Sequence, residues 1–132
     1  MAAIERADAQ LERRGLHMSM VFGARHDEHF PDGLPWTCTL RYQRRRITIA
    51  YYTHPGLEYE PTAAEVLASL LKDASTYEHA PGFIEFCTAV GYERDRRRSE
   101  WTYVACRDAA ARLHHLLAGD YAGITRLVTG IK

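Results

Sequence analysis

The sequence predicts an α+β fold: a three-stranded antiparallel sheet from the N-terminal half, packed against three to four C-terminal helices. Between Leu16 and Tyr52, apolar residues recur at every second position in three segments, the period of a half-buried strand. After Pro61 they recur at three- and four-residue spacing, the period of an amphipathic helix. Strands first and helices after is the order of an α+β chain rather than of repeated βαβ units. With 132 residues, 46% of them hydrophobic, the chain has room for one core and is expected to form a single domain over residues 1–132.

The elements follow in order. Residues 3 to 14 carry Ile4, Ala7 and Leu11 at helical spacing, with Gly15 as a stop. Leu16, Met18, Met20 and Phe22 then alternate with His17, Ser19 and Val21 as a first strand. A polar stretch from Gly23 to Pro35 breaks the pattern. Trp36, Cys38, Leu40 and Tyr42 form a second strand; Ile47, Ile49 and Tyr51 form a third, across a turn at Gln43–Arg45. That turn lacks Asn-Gly or Asp-Gly, so sequence leaves the register open. A loop runs from His54 to Pro61.

The helical half opens with Thr62-Ala-Ala-Glu65, an S/T-x-x-E capping box directly after Pro61. Ala63, Val66, Leu67, Leu70 and Ala74 make one stripe, predicting a helix over about 63–74. A second helix follows Pro81, with Phe83, Phe86, Cys87 and Val90 at helical spacing and Gly91 as its stop. A third, about 99–118, carries Trp101, Val104, Ala105, Leu113, Leu116 and Leu117 and ends at Gly119. A short last helix holds Tyr121, Ile124 and Val128.

The 17 Lys+Arg balance 17 Asp+Glu, which excludes both a highly acidic mimic of duplex DNA and a generic basic coat protein. Fifteen of the cations are arginines; only Lys72 and Lys132 are lysines. Three widely spaced cysteines, Cys38, Cys87 and Cys106, suit neither a disulfide framework nor a Cys-rich zinc site and fit a reducing compartment. No run approaches 18 apolar residues and no apolar signal region follows the N-terminus, so a soluble cytoplasmic protein without membrane contact is expected.

Several words stand in a distinctive order: Trp36-Thr-Cys-Thr-Leu-Arg41 before the hairpin, Pro61-Thr-Ala-Ala-Glu-Val-Leu67, Asp73-Ala-Ser75, Phe83-Ile-Glu-Phe-Cys87, Gly91-Tyr-Glu-Arg-Asp95, and Arg98-Ser-Glu-Trp-Thr-Tyr103. Over Trp36 to Tyr121 this order resembles a widespread family of small uncharacterised proteins encoded by bacteriophages and prophages. Two segments depart from the family pattern. Tyr52 to Glu60 stands where relatives have a Gly/Ser-rich stretch, and the N-terminal 30 residues also differ. The resemblance implies a phage-type accessory protein in a bacterial host cell, with no catalytic residues to carry over. It also implies that such a protein acts by binding a host protein or ribonucleoprotein complex, a CRISPR–Cas effector in the most specific version (an anti-CRISPR protein).

Candidate contact residues fall in three groups. Arg41, Arg44, Arg45 and Arg46 cluster at the hairpin turn, where they could grip phosphates or an acidic protein face, with Tyr42 and Tyr52 near enough to stack on bases. The alternative is a charged tip that protects a sheet edge. Arg94, Arg96, Arg97 and Arg98 precede the third helix, where positive charge opposes the macrodipole. That arrangement points to an anionic partner or to pairing with Glu93, Asp95 and Glu100. Tyr52, Glu58, Tyr59 and Glu60 form an aromatic–acidic stretch suited to a protein interface.

Catalytic readings are weaker. No G-x-S-x-G, P-loop or dinucleotide fingerprint occurs, and Cys87 or Cys106 beside His114 or His115 reads more simply as a buried thiol. His26-Asp-Glu-His29 is an H-x-x-H pair that His17 or His54 could complete, but it lies outside a helix that would set both rings on one face. No metal or cofactor is assigned. The expectation is a non-catalytic protein that inhibits a host defence complex; the alternative is a nucleic-acid-binding helper of phage DNA replication or recombination, and a metal-dependent activity comes third.

Overall fold

A computed structural model describes residues 2–22, 34–53 and 61–129. Its architecture is α+β: helix α1 (Ala2–Arg13), strands β1 (Leu16–Phe22), β2 (Leu34–Tyr42) and β3 (Arg45–Thr53), then helices α2 (Ala63–His79), α3 (Phe83–Val90), α4 (Arg97–Leu117) and α5 (Tyr121–Thr129). A 3-10 turn, Ala118–Asp120, joins the last two. Internal contacts gather the chain into two units, residues 1–66 and 67–132.

In the first unit α1 ends at Gly15, whose φ of +89° places it in the left-handed region that glycine occupies without strain. The chain reverses there and enters β1 directly, so the last turn of α1 lies beside the start of the sheet. The strands follow the order β1-β2-β3, both pairs antiparallel. Leu16 stands opposite Tyr42 and Phe22 opposite Trp36; Tyr42 in turn stands opposite Arg45 and Trp36 opposite Tyr51.

Period-2 alternation sorts the side chains onto two faces. Leu16, Cys38, Leu40, Tyr42 and Ile47 are buried on one. His17, Ser19, Val21, Arg41, Arg46, Thr48 and Ala50 are exposed on the other. The turn is two residues, Gln43 and Arg44, and only Gln43 takes a positive φ, +56°. That is the pattern of a type II′ turn, in which glycine is the unstrained choice at the first position. Gln43 uses its side chain instead: its Oε1 accepts a bond from Arg45 Nη2 at 3.4 Å.

The capping box forms as its sequence dictates. The Glu65 amide donates to Thr62 Oγ1 at 3.2 Å, and the Thr62 amide donates back to Glu65 Oε1 at 3.1 Å. A third amide at this helix start, that of Ala64, donates to Asp8 Oδ1 at 2.8 Å. Helix α2 then runs five residues beyond Ala74, to His79. Two of its polar side chains bond within the helix: Thr76 Oγ1 donates to the Lys72 carbonyl and His79 Nδ1 to the Ser75 carbonyl. Ser75 and Thr76 therefore do not stop it.

In the second unit α3 closes on Gly91 (φ +77°), and α4 lies against α3 and α5. Phe86, Ala80 and Cys106 form a buried cluster with Tyr77, Val90 and Tyr103 packed against it. Tyr103 meets the rings of Phe83, Phe86 and Tyr77 at 5.3–5.7 Å, and its hydroxyl donates to the Pro81 carbonyl. The buried face of α4 differs from the expected one. Ser99, Cys106, Ala109, Ala110, Leu113, Leu116 and Leu117 are inside, whereas Val104 and Ala105 are exposed. Small residues at 109 and 110 carry the stripe through the middle of α4, a place where counting large apolar residues shifts the face. The stop also moves: Ala118, not Gly119, takes the positive φ, +47°.

Among the described residues no helix is long and apolar enough to cross a membrane. The three cysteines are free and buried. Burial pushes the Cys38 thiol up to about 11; burial, with the Asp73 charge added, pushes Cys106 up to about 12. Both hold their protons at neutral pH and are poor nucleophiles.

Candidate functional site

The register of the sheet assembles a basic end that no single stretch of sequence contains. His17 of β1 stands opposite Arg41 of β2, and Arg41 stands opposite Arg46 of β3. All three are exposed, one row across the outer face. Arg44 extends the row at the turn, and Arg13 and Arg14, both exposed, end α1 immediately before β1. Three segments thus bring five arginines and a histidine to one end of the sheet.

Arg13, Arg14, Arg41, Arg44 and Arg46 have no ion-pair or hydrogen-bond partner for their side chains among the described residues. Like charges directly opposite in a ladder are destabilising, by roughly 0.2–1 kcal/mol for a pair such as Arg41–Arg46. Together with Gln43 in a conformation that favours glycine, the fold accepts two local costs at this tip.

Other predicted residues divide differently. Arg45 belongs to the inner-face alternation with Ile47, is half-buried and is held by Gln43, so it does not join the row. Tyr42 is buried, at 3% exposure, because its parity puts it with Leu40 and Ile47; stacking on a base is closed to it. Tyr52 stands in the β2–β3 ladder opposite Pro35. Glu58, Tyr59 and Glu60, and the pair His26 and His29, lie outside the described residues. Sequence reasoning missed Arg13, Arg14 and His17 as parts of this end. The β1–β2 pairing brings them there, and no local pattern encodes it.

In the second arginine cluster, Arg96 Nε donates to Glu93 Oε2 at 2.8 Å, an ion pair exposed on both sides and so worth little. Arg94, Arg97 and Arg98 are exposed, and no carboxylate among the described residues pairs with them. The helix start is held from within instead: Ser99, buried, donates its hydroxyl to the Glu93 carbonyl at 2.6 Å.

Two groups in the second unit resemble catalytic arrangements. Ser75 Oγ lies 3.3 Å from His79 Nδ1 beside an open pocket of about 550 Å³ lined by Leu71, Lys72, Thr76 and Val90. The same Nδ1 lies 2.8 Å from the Ser75 carbonyl, to which it must donate. It therefore carries its proton and cannot take one from the serine, so the serine is not activated. In the second group His114 Nε2 lies 3.3 and 3.4 Å from the two Glu78 oxygens and its ring stacks on Tyr121 at 3.8 Å. The Tyr121 hydroxyl donates to Glu78, and burial, then the Glu78 charge and that bond, push it up to about 12. No hydrogen bond joins Cys87 or Cys106 to His114 or His115 among the described residues, and no group of three or more metal-ligating side chains gathers there.

Asp73 shows one electrostatic cost. Burial raises its carboxyl above the ordinary 3.8, with Lys72 partly opposing, and no hydrogen bond or ion pair satisfies it among the described residues. A carboxyl raised on folding favours the folded state while protonated and loses that contribution as the pH rises through its raised value. At neutral pH the charge is therefore a liability. Asp73→Asn is expected to raise the thermal midpoint at pH 7, with the advantage fading toward pH 3 in a melting series. A lower midpoint at pH 7 would contradict the assignment.

Comparison of the chain with protein-family models, curated proteins and solved structures gives no match.

Proposed function

We propose that the chain is a non-catalytic binding protein whose basic sheet end engages the phosphates of nucleic acid. The observation that carries this reading is the row His17–Arg41–Arg46, with Arg44, Arg13 and Arg14 around it and no carboxylate among the described residues paired to the arginines. Arginine forks match phosphate oxygens two bonds at a time, and such a cluster offers that capacity to an external anion. The net charge of zero is no obstacle, because binding depends on the local potential. Fluorescence anisotropy of the full chain with labelled DNA at low salt tests the reading. Retention that weakens steadily as salt rises supports it; an unbound probe at the lowest salt rejects it.

A second reading has its own support. Ile84, Tyr92 and Val104 remain 58%, 42% and 39% exposed on α3, its exit and α4, in the unit that also holds Arg94, Arg97 and Arg98. Aromatic and apolar side chains with arginine are the composition of a protein interface. This favours a protein partner for that unit, and the resemblance to phage-encoded proteins names a host defence complex, a CRISPR–Cas effector in its most specific form. A pull-down against host effector complexes decides it: a stable complex supports inhibition, and recovery of none removes it.

A further inference from the structure

We infer that the basic end of the sheet takes the sugar–phosphate backbone of duplex DNA, independently of base sequence, and that Arg13 and Arg14 of α1 belong to the same site as the hairpin arginines. The inference rests on the nucleic-acid reading above and narrows it in two ways.

The first is the make-up of the described outer face. Single strands are held by a positive groove combined with aromatic rings on which successive bases stack. Among the residues of the outer face whose side chains are described, the imidazole of His17 is the one ring, too few for successive bases to stack on; Tyr52, opposite Pro35, shares this parity. The rows run His17–Arg41–Arg46, Ser19–Thr39–Thr48 and Val21–Thr37–Ala50. Trp36, Tyr42 and Tyr51 fall on the opposite parity. The described part of this face offers mainly charge and hydroxyls, and on a charged face duplex DNA returns more per contact, because each neutralised phosphate releases more condensed counterion than on a single strand.

The second is width. The histidine–arginine row crosses two strand spacings, about 10 Å. That approaches the ~12 Å major groove of B-form DNA, so the two ends of the row can meet phosphates on opposite rims. The A-form major groove is narrow and deep and does not offer that span. The row beyond it presents only hydroxyls: Ser19, Thr39 and Thr48, the last two with Oγ1 atoms 3.4 Å apart. Those hydroxyls can donate to phosphate oxygens but supply no bidentate base contact. Arg13 and Arg14, both exposed, stand at the end of α1 and in the turn just before β1, the strand whose His17 begins the row.

The experiment is anisotropy of the full chain with a labelled 20-base-pair DNA duplex, the single strand of the same sequence, the corresponding RNA duplex, and a second DNA duplex of unrelated sequence. The expected result is DNA duplex binding at least fivefold tighter than single strand or RNA duplex, with the two DNA sequences within twofold. Arg13→Gln with Arg14→Gln is expected to weaken duplex binding about tenfold and to reduce the salt slope by about two. Glutamine keeps helical propensity, and circular dichroism checks that the helix is retained. Single-stranded DNA or RNA duplex bound as tightly as duplex DNA would overturn the choice of partner while leaving the nucleic-acid reading in place. An unchanged slope in the Arg13/Arg14 variant, beside a reduced one in an Arg44/Arg46 variant, would remove α1 from the site. Failure of every probe to bind would take both inferences away.

Discussion

Arg46→Glu is expected to weaken DNA binding at least tenfold while raising the thermal midpoint by about 2–4 °C. The two effects have opposite signs because one residue serves two masters. In the folded chain Arg46 faces Arg41 across the β2–β3 ladder, so each repels the other. Glutamate at 46 turns that repulsion into an exposed cross-strand attraction worth up to about 1 kcal/mol. Toward a phosphate the same change removes a charge-assisted fork and substitutes a repulsion. Adding Arg44→Glu, which sits in the turn, is expected to bring the loss to a hundredfold or more, since about 1.4 kcal/mol per contact is tenfold. Arg45→Glu makes the contrast: Arg45 is half-buried and tied to Gln43, so its replacement costs stability and little binding. Calorimetry and anisotropy on the same preparations separate the two axes. A midpoint that falls with Arg46→Glu while binding is unchanged would mean that the row is structural.

Phe86→Ala is expected to destabilise the protein by about 3–5 kcal/mol, measured by urea unfolding. Phe86 is completely buried, sits with Ala80 and Cys106, and meets the Tyr103 ring edge-on at 5.3 Å. Truncation removes the transfer energy of the ring and leaves a cavity at a point where four aromatic side chains converge. Against a typical total of about 5–15 kcal/mol this is about a fifth of the stability or more. Phe86→Leu keeps most of the volume and is expected to cost less, so it provides a folded variant if the alanine form does not fold. Ile84→Ala, two residues away but 58% exposed, is expected to change stability by less than about 0.5 kcal/mol. Equal losses at 84 and 86 would contradict the described face of α3.

What the sequence allowed to be read was what local chemistry determines. The Thr62–Glu65 capping box, the helix between Pro81 and Gly91, and the alternation of Cys38, Leu40 and Ile47 each carry their own instruction within a few residues. The failures came where local signals compete. The apolar stripe ending at Ala74 set the expected end of α2, but the helix continues to His79, with Thr76 Oγ1 donating to the Lys72 carbonyl. On α4 the large Val104 and Trp101 suggested one face, while the smaller Ala109 and Ala110 occupy the buried one.

The candidate site was half legible. Arg41 and Arg44–Arg46 are adjacent in sequence, but parity alone decides that Arg46 joins the outer row and Arg45 does not, and that follows only from a two-residue turn at Gln43–Arg44. Arg13, Arg14 and His17 arrive through the β1–β2 register, a pairing between segments more than twenty residues apart.

The most direct measurement is the salt dependence of duplex DNA binding by the unaltered chain. If Arg13, Arg14, Arg41, Arg44 and Arg46 each meet a phosphate, the logarithm of the association constant falls against the logarithm of salt concentration with a slope of about −4 to −5. Between 50 and 200 mM salt the affinity then drops by roughly several hundredfold. A slope near zero, or no binding at 50 mM, would contradict the account.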